Sequence, residues 1–280
     1  MKQFFQVLIL FLALFTTSCA TKYSKVLKST NNEYKLKMAD EYYAKKEYAH
    51  AQELYQELIT NYLKSTNRYE DGYYRFAYTA YYLKDYEAAG LAFQQFTETF
   101  PNSEKVPEMA YMEGLCLYKN SAKVELDQSS TMKAISTLQS FLNSYPNDVH
   151  ADTAKKLIEN CNSKLEEKEY MAAQQYYDLG YYKSAHIYFD LLISDYPNSS
   201  KGEEYMFKTL LSSYQYAKKS YAYLQMDRYQ TAVDECDNFS AQYANSKYIS
   251  RVQSIKKDSQ NQIARLKKII AENEQTKKAS

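Results

Sequence analysis

The 280-residue chain contains no tryptophan, five glycines and four prolines. Glycine and proline supply the backbone geometry of tight turns, so this shortage argues against an all-β fold. It favours long helices joined by short connections. Histidine is also scarce: His50, His150 and His186 stand far apart, and none lies in a His-Glu-x-x-His pattern. We expect His50 and His186 to be solvated.

Other absences argue against an enzyme. The glycines never cluster into a phosphate-binding loop, and no Gly-x-Ser-x-Gly elbow occurs. Besides Cys19, the cysteines Cys116, Cys161 and Cys236 form no Cys-x-x-Cys pair, and we interpret them as small buried hydrophobic residues. We therefore expect no catalytic residue, no metal site and no cofactor apart from a covalent lipid.

Neither sign of charge is in excess. Lys2 is the only charged residue among the first 18, and the 34 remaining Lys and Arg match the 34 Asp and Glu. A nucleic-acid partner needs a basic footprint, and a polybasic membrane contact needs clustered lysines. The balanced charge argues against both kinds of partner.

The one long apolar run lies at the beginning of the chain. Residues 4–15 are apolar except for Gln6, and as a helix they would span roughly 18 Å. This is the length of a signal-peptide core and is shorter than the roughly 20 residues of a membrane span. Three small residues, 16–18, then precede Cys19.

This order of apolar run, small residues and cysteine resembles the lipobox of bacterial lipoproteins, with Thr16 in place of the usual leucine. The resemblance implies that the chain is cut before Cys19, that its thiol receives a diacylglycerol and that its new amine is acylated. Residues 1–18 would then be the signal peptide, and residues 19–32 a lipid-anchored linker. Two or three acyl chains would anchor the protein firmly, at about 0.8 kcal/mol per buried CH₂. The alternative is an ordinary secretory signal with a chance cysteine.

A short phrase recurs within residues 33–247. Four of the five copies begin with Tyr. Ala follows three positions after it, a core-sized side chain seven positions after it and another apolar residue ten positions after it, and a phrase such as Pro-Asn-Ser closes most copies. Ala51, Tyr55 and Leu58 thus share one face of a helix. We expect the closing Asn or Ser to cap the next helix. In the third copy, Met132 or a neighbour replaces the tyrosine. The anchor alanines are Ala51, Ala89, Ala134, Ala185 and Ala232.

A small residue of a preceding helix is expected about twelve residues before each anchor alanine. These residues are Ala39, Ala77, Ala173 and Ser220, with Gly114 in the third copy. The pattern resembles the tetratricopeptide repeat. It predicts an all-α, right-handed solenoid of five helical pairs with one continuous core, and a capping helix and tail over residues 248–280.

In a tetratricopeptide solenoid, the first helix of each pair lines the concave face. The groove positions are three before, one after and four after the small residue: Leu36, Asp40 and Tyr43, then Tyr74, Tyr78 and Tyr81. Tyrosine offers a large contact area with few rotatable bonds, and a hydroxyl for peptide groups. We therefore predict a peptide-binding groove at Tyr43, Tyr74, Tyr78 and Tyr81. The alternative is that a chain with 32 tyrosines lines every surface with them.

A more specific resemblance joins these features. The stretches LDQSSTMKAISTLQSFLNSYPND (126–148) and KLEEKEYMAAQQYYDLGYYKSAHIYFDLLISDYPNS (164–199) are similar to the third and fourth repeats of the BamD family of outer-membrane assembly lipoproteins, also called the ComL or YfiO family. The resemblance implies a lipid-anchored, non-enzymatic component of the β-barrel assembly (BAM) complex, on the periplasmic face of the outer membrane.

The same resemblance implies two partners. One is the β-barrel insertase BamA, contacted through its POTRA domains and chiefly by the C-terminal repeats. The other is the unfolded precursor of an outer-membrane protein, whose aromatic-rich signal strand would contact the N-terminal repeats. No individual contact residue can be carried over, because the polar residues of the family's contacts do not align here.

Two other functions remain open. The chain could be another periplasmic tetratricopeptide lipoprotein, acting as an adaptor for cell-envelope enzymes, for secretion or for pilus assembly. It could also be an outer-membrane nutrient-binding lipoprotein, although such proteins carry large loop domains and are much longer.

Overall fold

The computed structural model describes residues 22–279, with side chains as far as residue 275, and its regular elements in this part are all helical. Cys19 and the predicted signal peptide lie outside the described residues. After a helix over residues 22–27 (α1), the pairs are α2 (Asn32–Ala44) with α3 (Tyr48–Asn61), α4 (Tyr69–Tyr82) with α5 (Tyr86–Thr99), α6 (Val106–Lys119) with α7 (Ser129–Ser144), α8 (Ala151–Asp178) with α9 (Tyr182–Asp195), and α10 (Gly202–Lys218) with α11 (Ala222–Gln242).

Two further elements complete the described chain. A short 3-10 helix, Leu63–Ser65, lies between the first two pairs, and the last helix, α12 (Ile249–Ala279), packs against α11. The predicted all-α fold of five tetratricopeptide-like pairs with a C-terminal helix is confirmed.

The chain divides into two compact units within α8, the first ending at Asn162 and the second beginning at Ser163. Among the described residues, the buried apolar side chains form four clusters, two in each unit, where the sequence predicted one continuous core. In the charged middle of α8, no residue between Cys161 and Ala173 is buried. Cys116, Cys161 and Cys236 are buried, as predicted.

Small side chains mark the places where the paired helices meet. The five anchor alanines are all 0% exposed. A Cβ added at Gly114 would lie 2.5 Å from Leu138 Cδ2, so α6 and α7 approach too closely there for a side chain. In every pair the small residue of the first helix lies five positions before the last residue of that helix: Ala39, Ala77, Gly114, Ala173 and Ser213.

The prediction of Ser220 for the fifth pair was therefore wrong. Ser220 lies beyond the end of α10, and Ser213, which is 6% exposed, takes the position. The reason is the early start of α11 at Ala222, ahead of Tyr229, whereas α3, α5 and α9 begin at the matching tyrosine. Because the connection falls earlier, a fixed count of twelve residues overshoots it.

The third pair replaces its repeat tyrosine by Thr131. This residue is fully buried, and its hydroxyl donates to Gln128 Oε1 at 2.7 Å. Met132, the other candidate, is 54% exposed. The Gln128 amide donates in turn to the carbonyl oxygens of Lys123 and Leu126, at 2.7 and 3.0 Å. The segment 123–128, which precedes α7, is thus held by the buried side chain of Gln128.

The last residue of each closing phrase organises the entry to the next helix. Ser103 Oγ accepts from the backbone N–H of Lys105 at 3.1 Å, just before α6. This side chain satisfies a donor ahead of the helix, in a Ser turn. The same bond, two residues along, recurs at Thr66, Asp148, Ser199 and Ser246. The prediction that Ser103 caps the helix was wrong, because the N-cap of α6 is Lys105, which makes no side-chain cap hydrogen bond.

The segment expected to be a linker contains a helix that packs onto the first pair. Val26 of α1 is fully buried in one cluster with Leu36 and Ala39. The Tyr23 ring stacks on His50, with 3.9 Å between the ring centroids. His50 is thus a packed surface histidine, where the sequence predicted a solvated one.

Three of the five pair connections share one turn geometry. Lys46, Lys84 and Gly180 have positive φ angles of 63, 64 and 81°. In the first turn, the N–H of Glu47 donates to Tyr42 O at 2.9 Å and that of Lys46 to Tyr43 O at 3.0 Å, which is a Schellman cap.

We predict that Lys46→Gly raises the free energy of unfolding by up to about 1 kcal/mol. A left-handed non-glycine residue costs roughly 1–2 kcal/mol, and the backbone entropy of glycine offsets about 0.5–1 of this. The matched control is Lys45→Gly, where φ is −82° and glycine should lower stability. Denaturant unfolding measures the change in stability of both variants. An equal loss of stability in the two would contradict the left-handed conformation of Lys46.

Candidate functional site

The four tyrosines predicted to line a groove come together on two neighbouring first helices of the first unit. Tyr43 lies near the end of α2, and the others lie on α4. Ring centroids are 4.8 Å apart for Tyr74 and Tyr78, and 6.3 Å apart for Tyr78 and Tyr81. Such distances are those of interacting aromatic pairs.

Tyr82 connects the group and was missed by the sequence analysis. Its ring centroid lies 6.3 Å from that of Tyr43 and 5.8 Å from that of Tyr78, and it stacks on Tyr48 at 4.5 Å. It stands one position beyond the last groove position that was counted. Including the next helix position would have found it. We call Tyr43, Tyr74, Tyr78, Tyr81 and Tyr82 the tyrosine surface.

Members of the tyrosine surface differ in what a ligand could reach. Tyr82 is 44% exposed, whereas Tyr78 is 9% exposed and belongs to the core cluster of the second and third pairs. Tyr43, Tyr74 and Tyr81 are half-buried. Tyr82 therefore offers the largest accessible ring, and Tyr78 acts mainly as its support.

Glu108 of α6 organises the hydroxyls of α4. It accepts hydrogen bonds from Tyr78 and, at 3.2 Å, from Tyr74. Burial, together with this carboxylate, raises the pKa of both tyrosines. Their hydroxyls therefore stay protonated and serve as donors at any physiological pH.

The two other predicted groove positions are occupied by contacts within the first unit. Leu36 is 4% exposed and packs in the core of the first pair. Asp40 accepts from Tyr55 Oη at 2.7 Å, Arg75 Nη1 at 2.9 Å and Arg68 Nη2 at 3.1 Å. A carboxylate with three donors is already satisfied. These two residues stabilise the surface and leave the tyrosines as its binding groups.

Positive charge borders the rings. Lys105 Nζ lies 5.4 Å from the ring centroid of Tyr74, and the Arg75 guanidinium lies 5.9 Å from that of Tyr43. Both distances fall within the range of cation–π contacts. Lys105 also pairs with Glu70 and Asp71, at 3.0 and 3.1 Å. The border is therefore a network of paired charges around an aromatic centre.

The described residues contain no group of His, Cys, Asp and Glu that could hold a metal ion. Within residues 22–279, no helix combines the length and the apolar character that crossing a bilayer requires.

Comparison with known proteins gives one informative match. A family model described as "YfiO: Outer membrane lipoprotein" matches residues 28–215, which is more than half of the 280-residue chain. A comparison with the curated proteins found no match. Among solved structures, the chain is similar to "TPR2AB-domain:pHSP90-complex of yeast Sti1", with 12% identity and a TM-score of 0.37, over 82% of this chain and 98% of that one. The helix pairs, and not this distant likeness, establish the fold.

We predict that Glu108→Ala lowers the free energy of unfolding by about 1–3 kcal/mol, because the buried Tyr78 hydroxyl loses its acceptor. Tyr78→Phe should cost less, since Glu108 keeps Tyr74 and solvent as partners. In Glu108→Ala/Tyr78→Phe, the second change should recover part of the loss. Denaturant unfolding of the four chains of this cycle gives the coupling, and strictly additive losses would refute the shared role.

Proposed function

Because the chain belongs to the YfiO family of outer membrane lipoproteins, we propose that it is a non-enzymatic component of the outer-membrane β-barrel assembly machinery. In this role it receives unfolded precursors of outer-membrane proteins and partners a BamA-like insertase through POTRA domains, from the periplasmic face. The family match and the paired helices support the proposal. The observation that carries the precursor contact is the tyrosine surface.

The tyrosine surface suits an extended segment that carries aromatic side chains. Tyr82 is the accessible ring, and its contacts with Tyr43, Tyr48 and Tyr78 already restrict its position. Binding would therefore order few additional side chains, which keeps the entropic cost low. A well-placed aromatic pair contributes roughly 0.5–1.5 kcal/mol beyond the area it buries. Several weak contacts of this kind suit a chaperone-like protein, because it must release the precursor as well as bind it.

We also propose that Cys19 carries a diacylglycerol and an N-acyl chain. Three residue steps separate Cys19 from Lys22, where the described chain begins, and each step spans at most about 3.6 Å. The acylated cysteine would therefore lie within roughly 11 Å of α1. Since Val26 of α1 is buried in the first pair, the lipid would hold the first unit at the membrane surface. The tyrosine surface of that unit would then lie near the site of insertion.

A photocrosslinking amino acid at position 82 tests the proposal in cells. We expect adducts with newly made outer-membrane proteins, and co-purification of a large β-barrel protein with the tagged chain. The matched control is Tyr223 in the second unit, which is 78% exposed and lies outside the tyrosine surface. Precursor adducts at position 223 with none at 82 would contradict the assignment. Recovery of peptidoglycan hydrolases or pilus components, without a β-barrel protein, would favour the adaptor function instead.

The same cells test the anchor by fractionation. Cys19→Ala should deplete the chain from the outer-membrane fraction, because no acyl chain can then be attached. If the variant stays in the outer membrane at the level of the parent chain, lipidation of Cys19 is not what holds it there.

A further inference from the structure

The second unit contains a cavity of about 210 Å³ that the proposed function does not use. It lies between α9, α10 and α11. A buried water occupies a share of about 30 Å³, so the space exceeds what a single ion or water would fill. Its lining residues are Lys183, His186 and Ile187 of α9, Ser213 and Tyr216 of α10, and Arg228 and Thr231 of α11.

The cavity is lined by three basic side chains and by no carboxylate. His186 is held by Glu235, whose Oε1 lies 2.7 Å from its Nε2, and this bond raises the pKa of His186. His186 is thus a paired histidine, not the solvated one that the sequence predicted. Lys183 and Arg228, in contrast, form no ion pair with any carboxylate of the described residues. Two positive charges without a carboxylate partner therefore face the cavity, against the one negative charge of Glu235 behind His186, whose Oε2 is buried and accepts no hydrogen bond from the described residues.

Arg228 is held in place for binding. Its Nη1 donates to Ser220 Oγ, and the guanidinium lies over the ring of Tyr216, 3.9 Å from the centroid. Stacking fixes the plane of the guanidinium and leaves its other N–H groups free to donate. A fixed guanidinium binds the oxygens of a carboxylate or a phosphate with little loss of side-chain entropy.

Ser213 adds an independent observation. It is only 6% exposed and lines the cavity, yet its side chain has no hydrogen-bond partner among the described residues. The hydroxyl oxygen is reached by solvent through the cavity, so it can donate to a ligand there. The anchor position needs only a small residue, and alanine serves at this point in three of the other pairs. The serine therefore supplies a polar group that the packing does not require.

Cavities of the first unit have a different character. One is lined by Glu87, Glu113 and Lys133, and another by Glu33, Asp40 and Glu41 together with Lys37 and Arg68. Both cavities therefore carry charges of both signs, and Asp40 is paired with Arg68. The unpaired basic lining is a property of the cavity in the second unit.

We infer that this cavity binds a small organic oxyanion, a carboxylate or a phosphate monoester with an apolar body. Its oxygens accept from Lys183, Arg228 and the Ser213 hydroxyl. The apolar body lies against the Tyr216 ring and Ile187. Lys183 and Ile187 are exposed, so the ligand enters from the solvent on the α9 side.

Calorimetric titration of the full chain with phenylacetate and phenyl phosphate tests this inference. Both should bind saturably at one site, and whichever binds tighter identifies the preferred oxyanion. Phenylacetamide has the same ring without the charge, and inorganic phosphate has the charge without the ring. Each should bind at least about tenfold more weakly, the loss expected when a charged hydrogen bond or the apolar contact is removed.

Variants locate the site. Lys183→Gln and Arg228→Gln should each weaken phenylacetate binding by about tenfold or more, whereas Lys257→Gln, an exposed lysine on α12, should leave it unchanged. Lys183 is exposed and unpaired, so its variant keeps the fold even if Arg228→Gln does not. Equal binding of phenylacetamide, no saturable binding of either acid, or unchanged binding by Lys183→Gln would overturn the inference.

Discussion

Close contact between paired helices at small side chains is the constraint on which the rest of the structure depends. The anchor alanines of the second helices are fully buried, and each first helix places a small residue five positions before its end. Large side chains such as Tyr55, Phe93 and Phe189 then fill the space beside the contact and are fully buried. This spacing to the helix end is common to all five pairs, and three of the five connections use the same left-handed residue position.

Features that depend on local spacing could be predicted from the sequence. Tyr55 and Leu58 lie four and seven residues after Ala51, a spacing that indicates one face of a helix. The prolines that follow these apolar faces mark the helix ends. These patterns sufficed for five pairs and a last helix. They also placed Tyr74 and Tyr78 together on one helix, because residues four apart in a helix lie on one face.

Features that depend on residues distant in sequence could not be predicted. Glu108, the acceptor for two tyrosines, lies 30 and 34 residues from them. Tyr82 belongs to the surface through rings on other helices, and Ser213 replaces Ser220 because α11 begins early. No repeat pattern contains this information, since each case depends on how one helix meets another. The same holds for the basic cavity, which three helices form together.

The unfolding of Gly114→Ala tests the close-contact account most directly. Helix propensity alone predicts that alanine inside α6 stabilises by about 1 kcal/mol. The new Cβ would lie 2.5 Å from Cδ2 and 2.7 Å from Cγ of Leu138, which is fully buried. We therefore predict a loss of about 1–3 kcal/mol. Gly90→Ala, whose Cβ would meet only Cys116 Cβ at 3.4 Å, should be neutral or stabilising. A gain for Gly114→Ala equal to that of Gly90→Ala would contradict the account.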